Sequence, residues 1–211
     1  PRPPDVLMVP VPPAPDADPR GPPHPHNPPP PRQRPAHDVA ATPQTLDIMA
    51  CRYGDDFATG QVGLAFGETL SRDGVEISLA PAGHVLGSAQ AVIRWKGMTA
   101  VVSGDYKRRR DPTCALFEPV PCDLFVTEAT FGLPVFRHPD AADEVARLLK
   151  SITRFPERTH LVGAYALGKA QRVIALLREA GWDRTIHVHG ALTGLNALYD
   201  RHGVALGPLA H

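Results

Sequence analysis

Residues 75–106, VEISLAPAGHVLGSAQAVIRWKGMTAVVSGDY, decide the fold. Val75, Ile77 and Leu79 alternate with Glu76 and Ser78, and Ala89–Trp95 alternates in part, so both stretches predict half-buried strands. Lys96-Gly97 is a turn signal, and Thr99–Ser103 predicts a further strand ending in Gly104-Asp105. Asp123–Thr127 predicts another, ending in Glu128. Three of these strands stop at a residue with chemistry to offer: His84, Asp105 and Glu128. Taken singly, each is an ordinary turn or cap residue. If the strands are neighbours in one sheet, an imidazole and two carboxylates converge at one edge, a donor set suited to a divalent cation.

Working outward, helices take over after residue 135. Val145, Leu148, Leu149 and Ile152 fall at helical spacing behind the cap Asp140, and Ala170, Val173, Ile174 and Leu177 repeat the pattern ahead of Gly181. His160–Ala164 and Ile186–Val188 predict short strands, each leading into a helix, the last carrying Leu192, Leu195, Leu198 and Tyr199. Upstream, Thr42-Pro43 opens a helix with a capping hydroxyl and proline in its first turn. Strands followed by strand–helix alternation predict a layered α/β protein.

Seventeen of the 25 prolines fall in residues 1–43. Proline fixes φ and removes an amide donor, so residues 1–36 are expected to form neither a helix nor a sheet ladder. The 22 basic and 22 acidic residues of the 211 balance, so no global field advertises a partner. Apolar runs fall far short of the roughly 18 residues of a membrane span, which excludes a spanning helix. No charged start with an apolar run and cleavage site appears, which argues against secretion. Cys51, Cys114 and Cys122 lack C-x-x-C spacing and are expected to be reduced thiols in a cytoplasmic protein.

Gly83-His84-Val85-Leu86-Gly87-Ser88-Ala89, Ser103-Gly104-Asp105-Tyr106 and Thr127-Glu128-Ala129-Thr130-Phe131-Gly132, in that order, resemble the metallo-β-lactamase-fold nucleases of the β-CASP group. Within that group the stretch Lys107–Gly132, with Ala164–Gln171 and Val188–Ala191 downstream, resembles the bacterial ligase-associated DNA damage response exonucleases. The resemblance covers residues 37–211. It implies a partial metallo-β-lactamase αββα sandwich over residues 41–134, a β-CASP-like α/β segment over 135–211, and a proline-rich segment over 1–40. It also implies two zinc ions about 3.5–4 Å apart that activate a bridging hydroxide for phosphodiester hydrolysis. His84 would bind one zinc, Asp105 would bridge both, and Glu128 would belong to the acid assisting the leaving oxygen. Lys107 and Arg108 in the run 107–110, and Lys169 at a helix start, would grip the nucleic-acid backbone.

The family's first signature, His-x-His-x-Asp-His, is replaced here by His24-Pro25-His26-Asn27-Pro28-Pro29, which keeps two histidines and puts prolines where the other ligands belong. The family's last two histidine motifs would lie beyond residue 211. One reading is that the proline-rich segment comes from a shifted reading frame. His187 and His189 sit in surroundings that match a strand of the inserted segment, not the terminal motifs. The implied function is a DNA exonuclease in repair, beside a DNA ligase and a helicase. RNA 3′-end processing is an alternative, as is a non-catalytic remnant or nucleic-acid-binding fragment. A thioesterase or lactamase is disfavoured by Ala164–Gln171.

Overall fold

Two tight turns set the register of the central sheet. Asp73-Gly74 and Lys96-Gly97 have both residues at positive φ (51° and 77°, 47° and 82°). This is the type I′ geometry whose twist matches that of paired strands. Each turn joins directly paired residues, Arg72 to Val75 and Trp95 to Met98, so no residue can slip.

The computed structural model describes residues 6–10 and 36–211. In chain order its elements are β1 (Val6–Pro10), β2 (Ala36–Ala41), α1 (Pro43–Tyr53), β3 (Ala58–Gly63), β4 (Thr69–Arg72), β5 (Val75–Pro81), β6 (Ala89–Trp95), β7 (Met98–Val102) and β8 (Leu124–Val126). There follow α2 (Ala141–Arg154), β9 (His160–Ala164), α3 (Lys169–Glu179), β10 (Ile186–Val188), a 3-10 turn (Gly190–Leu192), α4 (Thr193–Arg201) and β11 (Leu209–Ala210). The expected strands and helices from Val75 onward are present, and the α/β class is as expected.

Strands β4 to β8 form one sheet in sequence order, antiparallel from β4 to β7, with β8 parallel to β7. A second sheet is wholly parallel in the order β11-β10-β1-β9. Its strands run second-first-third-fourth along the chain, so the direction of winding reverses between β1 and β10. That is the doubly wound arrangement. A parallel pair, β2 and β3, completes the set.

Strand β1 corrects the expectation that residues 1–36 cannot join a ladder. Val6 to Pro10 pair with His160 to Ala164 on one side, and Leu7 and Met8 with His187 and Val188 on the other. Four consecutive residues without proline, Val6 to Val9, keep their amide donors. Pro10 closes the strand with an extended backbone that its ring permits. Val6 and Met8 are fully buried and share a core with Ile48 of α1, Leu86, and Ile152, Ile174, Leu177, Ile186, Leu198 and Tyr199. A separate small cluster of Ala80, Val92 and Val101 lies on the antiparallel sheet. His24 and His26 lie outside the described residues.

Caps position the helices. The Thr42 hydroxyl accepts from the Thr45 amide at 3.2 Å, and Asp140 accepts from the Ala142 amide at 2.8 Å. Replacing Met8 by Ala should lower stability by about 2–5 kcal/mol, read as a shifted denaturant midpoint. A change within about 0.5 kcal/mol would mean that this side chain is not in the core.

Candidate active site at the carboxyl edges of two sheets

Because β5 and β7 both run antiparallel to β6, and β8 runs parallel to β7, the carboxyl ends of β5, β7 and β8 share one sheet edge. His84, Asp105 and Glu128 all leave the sheet there. His84 Nε2 lies 3.8 Å from Asp105 Oδ2, with the imidazole 40% and the carboxylate 76% exposed. Glu128 leaves β8 beside them, because the Ser103 amide donates to the Val126 carbonyl at 2.9 Å and extends the β7–β8 pairing. Its carboxylate turns back on its own backbone, Oε2 accepting from the Thr130 amide at 2.7 Å. Among the described residues no hydrogen bond or ion pair joins Glu128 to His84 or Asp105. The structure therefore brings two of the three groups into contact and leaves the third on the same edge.

The loop that carries His84 is clamped on every side. A Cβ on Gly83 (φ 71°) would sit 2.4 Å from the Lys107 carbonyl, so only glycine fits. The Ser88 hydroxyl accepts from the amides of His84 (2.9 Å) and Val85 (3.1 Å). From the start of α1, the Thr42 and Thr45 hydroxyls donate to the Gly87 carbonyl at 2.7 and 3.0 Å. The Leu86 amide donates to the buried Tyr199 hydroxyl of α4 at 3.4 Å. Gly168, ahead of α3, packs so closely on Val85 that a Cβ there would lie 2.4 Å from its Cγ1.

Beneath the loop lies Asp111, 4% exposed. Its Oδ2 pairs with the Lys107 ammonium and with Arg172 Nε of α3 at 3.3 Å. Its Oδ1 accepts from the Thr113 amide (2.9 Å) and hydroxyl (2.6 Å). The Lys107 ammonium also donates to the His84 carbonyl at 3.4 Å. Of the basic run 107–110, then, Lys107 is committed inward. Arg109 donates to the His138 and Pro139 carbonyls, and Arg110 forms a two-pronged pair with Glu179 at 2.6 and 3.0 Å. Arg108 is exposed and has no such partner among the described residues. Lys169 is also exposed, its ammonium 4.2 Å from the centre of the Tyr165 ring. His187 belongs to β10, and His189 accepts from the Ala191 amide at 3.1 Å as a turn cap.

Burial pushes the His84 imidazole below its ordinary 6.5; the Asp105 carboxylate opposes this, while Lys107 and Lys169 add to it. At neutral pH the ring therefore offers a lone pair, the form that binds a metal. Burial, with Asp111 adding, pushes the Cys114 thiol up to about 11, and all three cysteines are free thiols. A zinc site takes three or four donors. His84 and Asp105 are two, and among the described residues no three His, Cys, Asp or Glu side chains gather as a metal-binding group. The described residues do not by themselves make a zinc site.

The chain is 34% identical over 119 residues to the endoribonuclease ysh1 of Emericella nidulans, a match covering 54% of this chain and 13% of that protein. It is 30% identical over 116 residues to the cleavage and polyadenylation specificity factor subunit 3 of Dictyostelium discoideum, covering 53% and 15%. Over about half of its length the chain is thus similar to nucleases of the β-CASP group of metallo-β-lactamase fold. A probable DNA ligase of Opitutus terrae matches this chain at 29% identity over 154 residues, covering 69% of the chain and 14% of the ligase. The chain thus spans 13% to 15% of the length of these relatives. A crystal structure of a protein of unknown function from Enterococcus faecalis V583 shares the fold at a TM-score of 0.57 and 15% identity, covering 83% of this chain and 46% of that one. No family model matches the chain.

Sequence reasoning gave no role to Asp111, Arg172 or Tyr199. The available signal was an acid four residues after Lys107, followed by a threonine able to close a turn on it. Replacing Asp111 by Ala should destabilise the chain by about 3–5 kcal/mol, seen as a lowered melting temperature, because two cations lose their buried counter-charge. The His84 imidazole should titrate below 6.5 by NMR. The unfolded chain then binds the proton more readily, so stability rises with pH up to that value and is lost on acidification. His84→Gln should flatten that dependence.

Proposed function

We propose that this chain is part of a metal-dependent phosphodiester hydrolase that shortens DNA from its ends during repair. The observation that carries this reading is the His84–Asp105 pair, 3.8 Å apart at the carboxyl edge of the sheet. Exposed Arg108 and Lys169 are the cations that hold the phosphate backbone, whereas Lys107 holds the loop. Glu128, which leaves β8 on the same edge, is the acid that assists the leaving oxygen. Zinc, the metal of the family, needs donors beyond His84 and Asp105, and His24 and His26 are the ones we propose. Residues 41–134 and 135–211 are the two segments of the enzyme, with a DNA ligase and a helicase as working partners in the cytoplasm. The relative named as a probable DNA ligase, matched over 69% of this chain, supports DNA as the polymer.

The relatives named endoribonuclease and cleavage and polyadenylation specificity factor favour a second reading, RNA 3′-end processing. End-labelled DNA and RNA of equal sequence, incubated with manganese or zinc, separate the two: DNA should shorten faster. RNA shortening faster would transfer the reading to the second polymer. Asp105→Ala should lower the rate by more than about 10-fold, since even groups that only support a metal ligand cost about 10–100-fold. Fewer than one zinc per chain, with neither polymer cut, would leave a non-catalytic nucleic-acid-binding remnant.

A further inference from the structure

We propose that Tyr165 is a stacking platform for a nucleobase, placed beside the His84–Asp105 pair and capped in the free protein by Lys169; this rests on the nucleic-acid reading above. Tyr165 directly follows the last residue of β9 and is 38% exposed. It therefore stands at the carboxyl edge of the parallel sheet, where ligands of doubly wound sheets bind. The turn beneath it is fixed. The Ala170 amide donates to the Tyr165 carbonyl at 3.1 Å, and the Gly168 amide donates to Oε1 of the fully buried Gln171 at 2.8 Å. The same turn seats Gly168 against Val85, the neighbour of His84, which brings the turn that follows Tyr165 to the candidate site.

Four other aromatic rings, the half-buried Tyr106 among them, do not combine these features. Trp95 lies at the β6–β7 turn, the opposite end of its sheet, with Lys96 over it. Phe131 and Phe136 pack on each other and, through Phe131, on His138. Tyr106, next to Asp105, is engaged by Phe117 and Phe125. Over the Tyr165 ring lies a flexible group, the Lys169 ammonium on its four-carbon stem, 4.2 Å from the ring centre. A phosphate draws that ammonium off the ring by charge, and the uncovered π-face then accepts a base of any identity.

Fluorescence anisotropy with the full chain tests this, using a labelled single-stranded oligonucleotide and its abasic counterpart. Tyr165→Ala should weaken binding of the base-bearing strand about 10-fold or more and leave the abasic strand unchanged, while Tyr165→Phe keeps wild-type affinity. Unchanged affinity of Tyr165→Ala for the base-bearing strand, or equal loss on both strands, would overturn the platform and leave the functional reading standing. A wild-type chain that binds neither strand would overturn both.

Discussion

Asp111 keeps 4% of its surface in water, and burying a carboxylate is costly unless charge and hydrogen bonds match it. Its partners come from different parts of the chain: Lys107 from the exit of β7, Arg172 from α3, and Thr113 from its own turn. These contacts therefore fasten the antiparallel sheet's edge to α3, the helix between β9 and β10. Because Lys107 also reaches the His84 carbonyl, the same charge network fixes the loop that presents the imidazole. Removing the carboxylate would leave two cations without their counter-charge in the place where both sheets end.

Around that point the molecule converges by its strand and helix ends. The carboxyl edge of the antiparallel sheet supplies His84 and Asp105, and the carboxyl edge of the parallel sheet supplies Tyr165 and the start of α3. The helix starts at Thr42 and Gly168 approach the His84 loop, and Tyr199 of α4 reaches it from the core. Ordered hydroxyls and close backbone contacts make the loop stiff. A stiff loop holds a ligand-bearing side chain in place at little entropic cost on binding. The price of this order is a set of glycines that tolerate no side chain.

Charge is sorted at this edge in a way that composition hides. The basic run 107–110 divides into an inward Lys107, an Arg109 held by loop carbonyls, an Arg110 paired with Glu179 and an Arg108 with no carboxylate partner among the described residues. Among the described residues of this edge, Arg108 and Lys169 are exposed cations without a carboxylate partner, beside a neutral imidazole. On the proposed nucleic-acid reading, such a surface would bind through a few phosphate contacts and gain further grip from stacking.

The sequence by itself determined the local structure and the edge. Val75–Leu79 alternates, Lys96-Gly97 turns, Asp140 caps, and the strand ends at His84, Asp105 and Glu128 could be read because each depends on neighbours a few residues away. Tertiary structure alone decided the rest. Leu7 sits between Leu161 and His187, partners more than a hundred residues away, so a proline count could not reveal β1. Nor could spacing show that Lys107 faces Asp111 and Arg172 while Arg108 faces water, since pairing of charges depends on which elements pack together. Periodicity is a property of short segments; parallel strand pairing and buried counter-charges are properties of the folded chain.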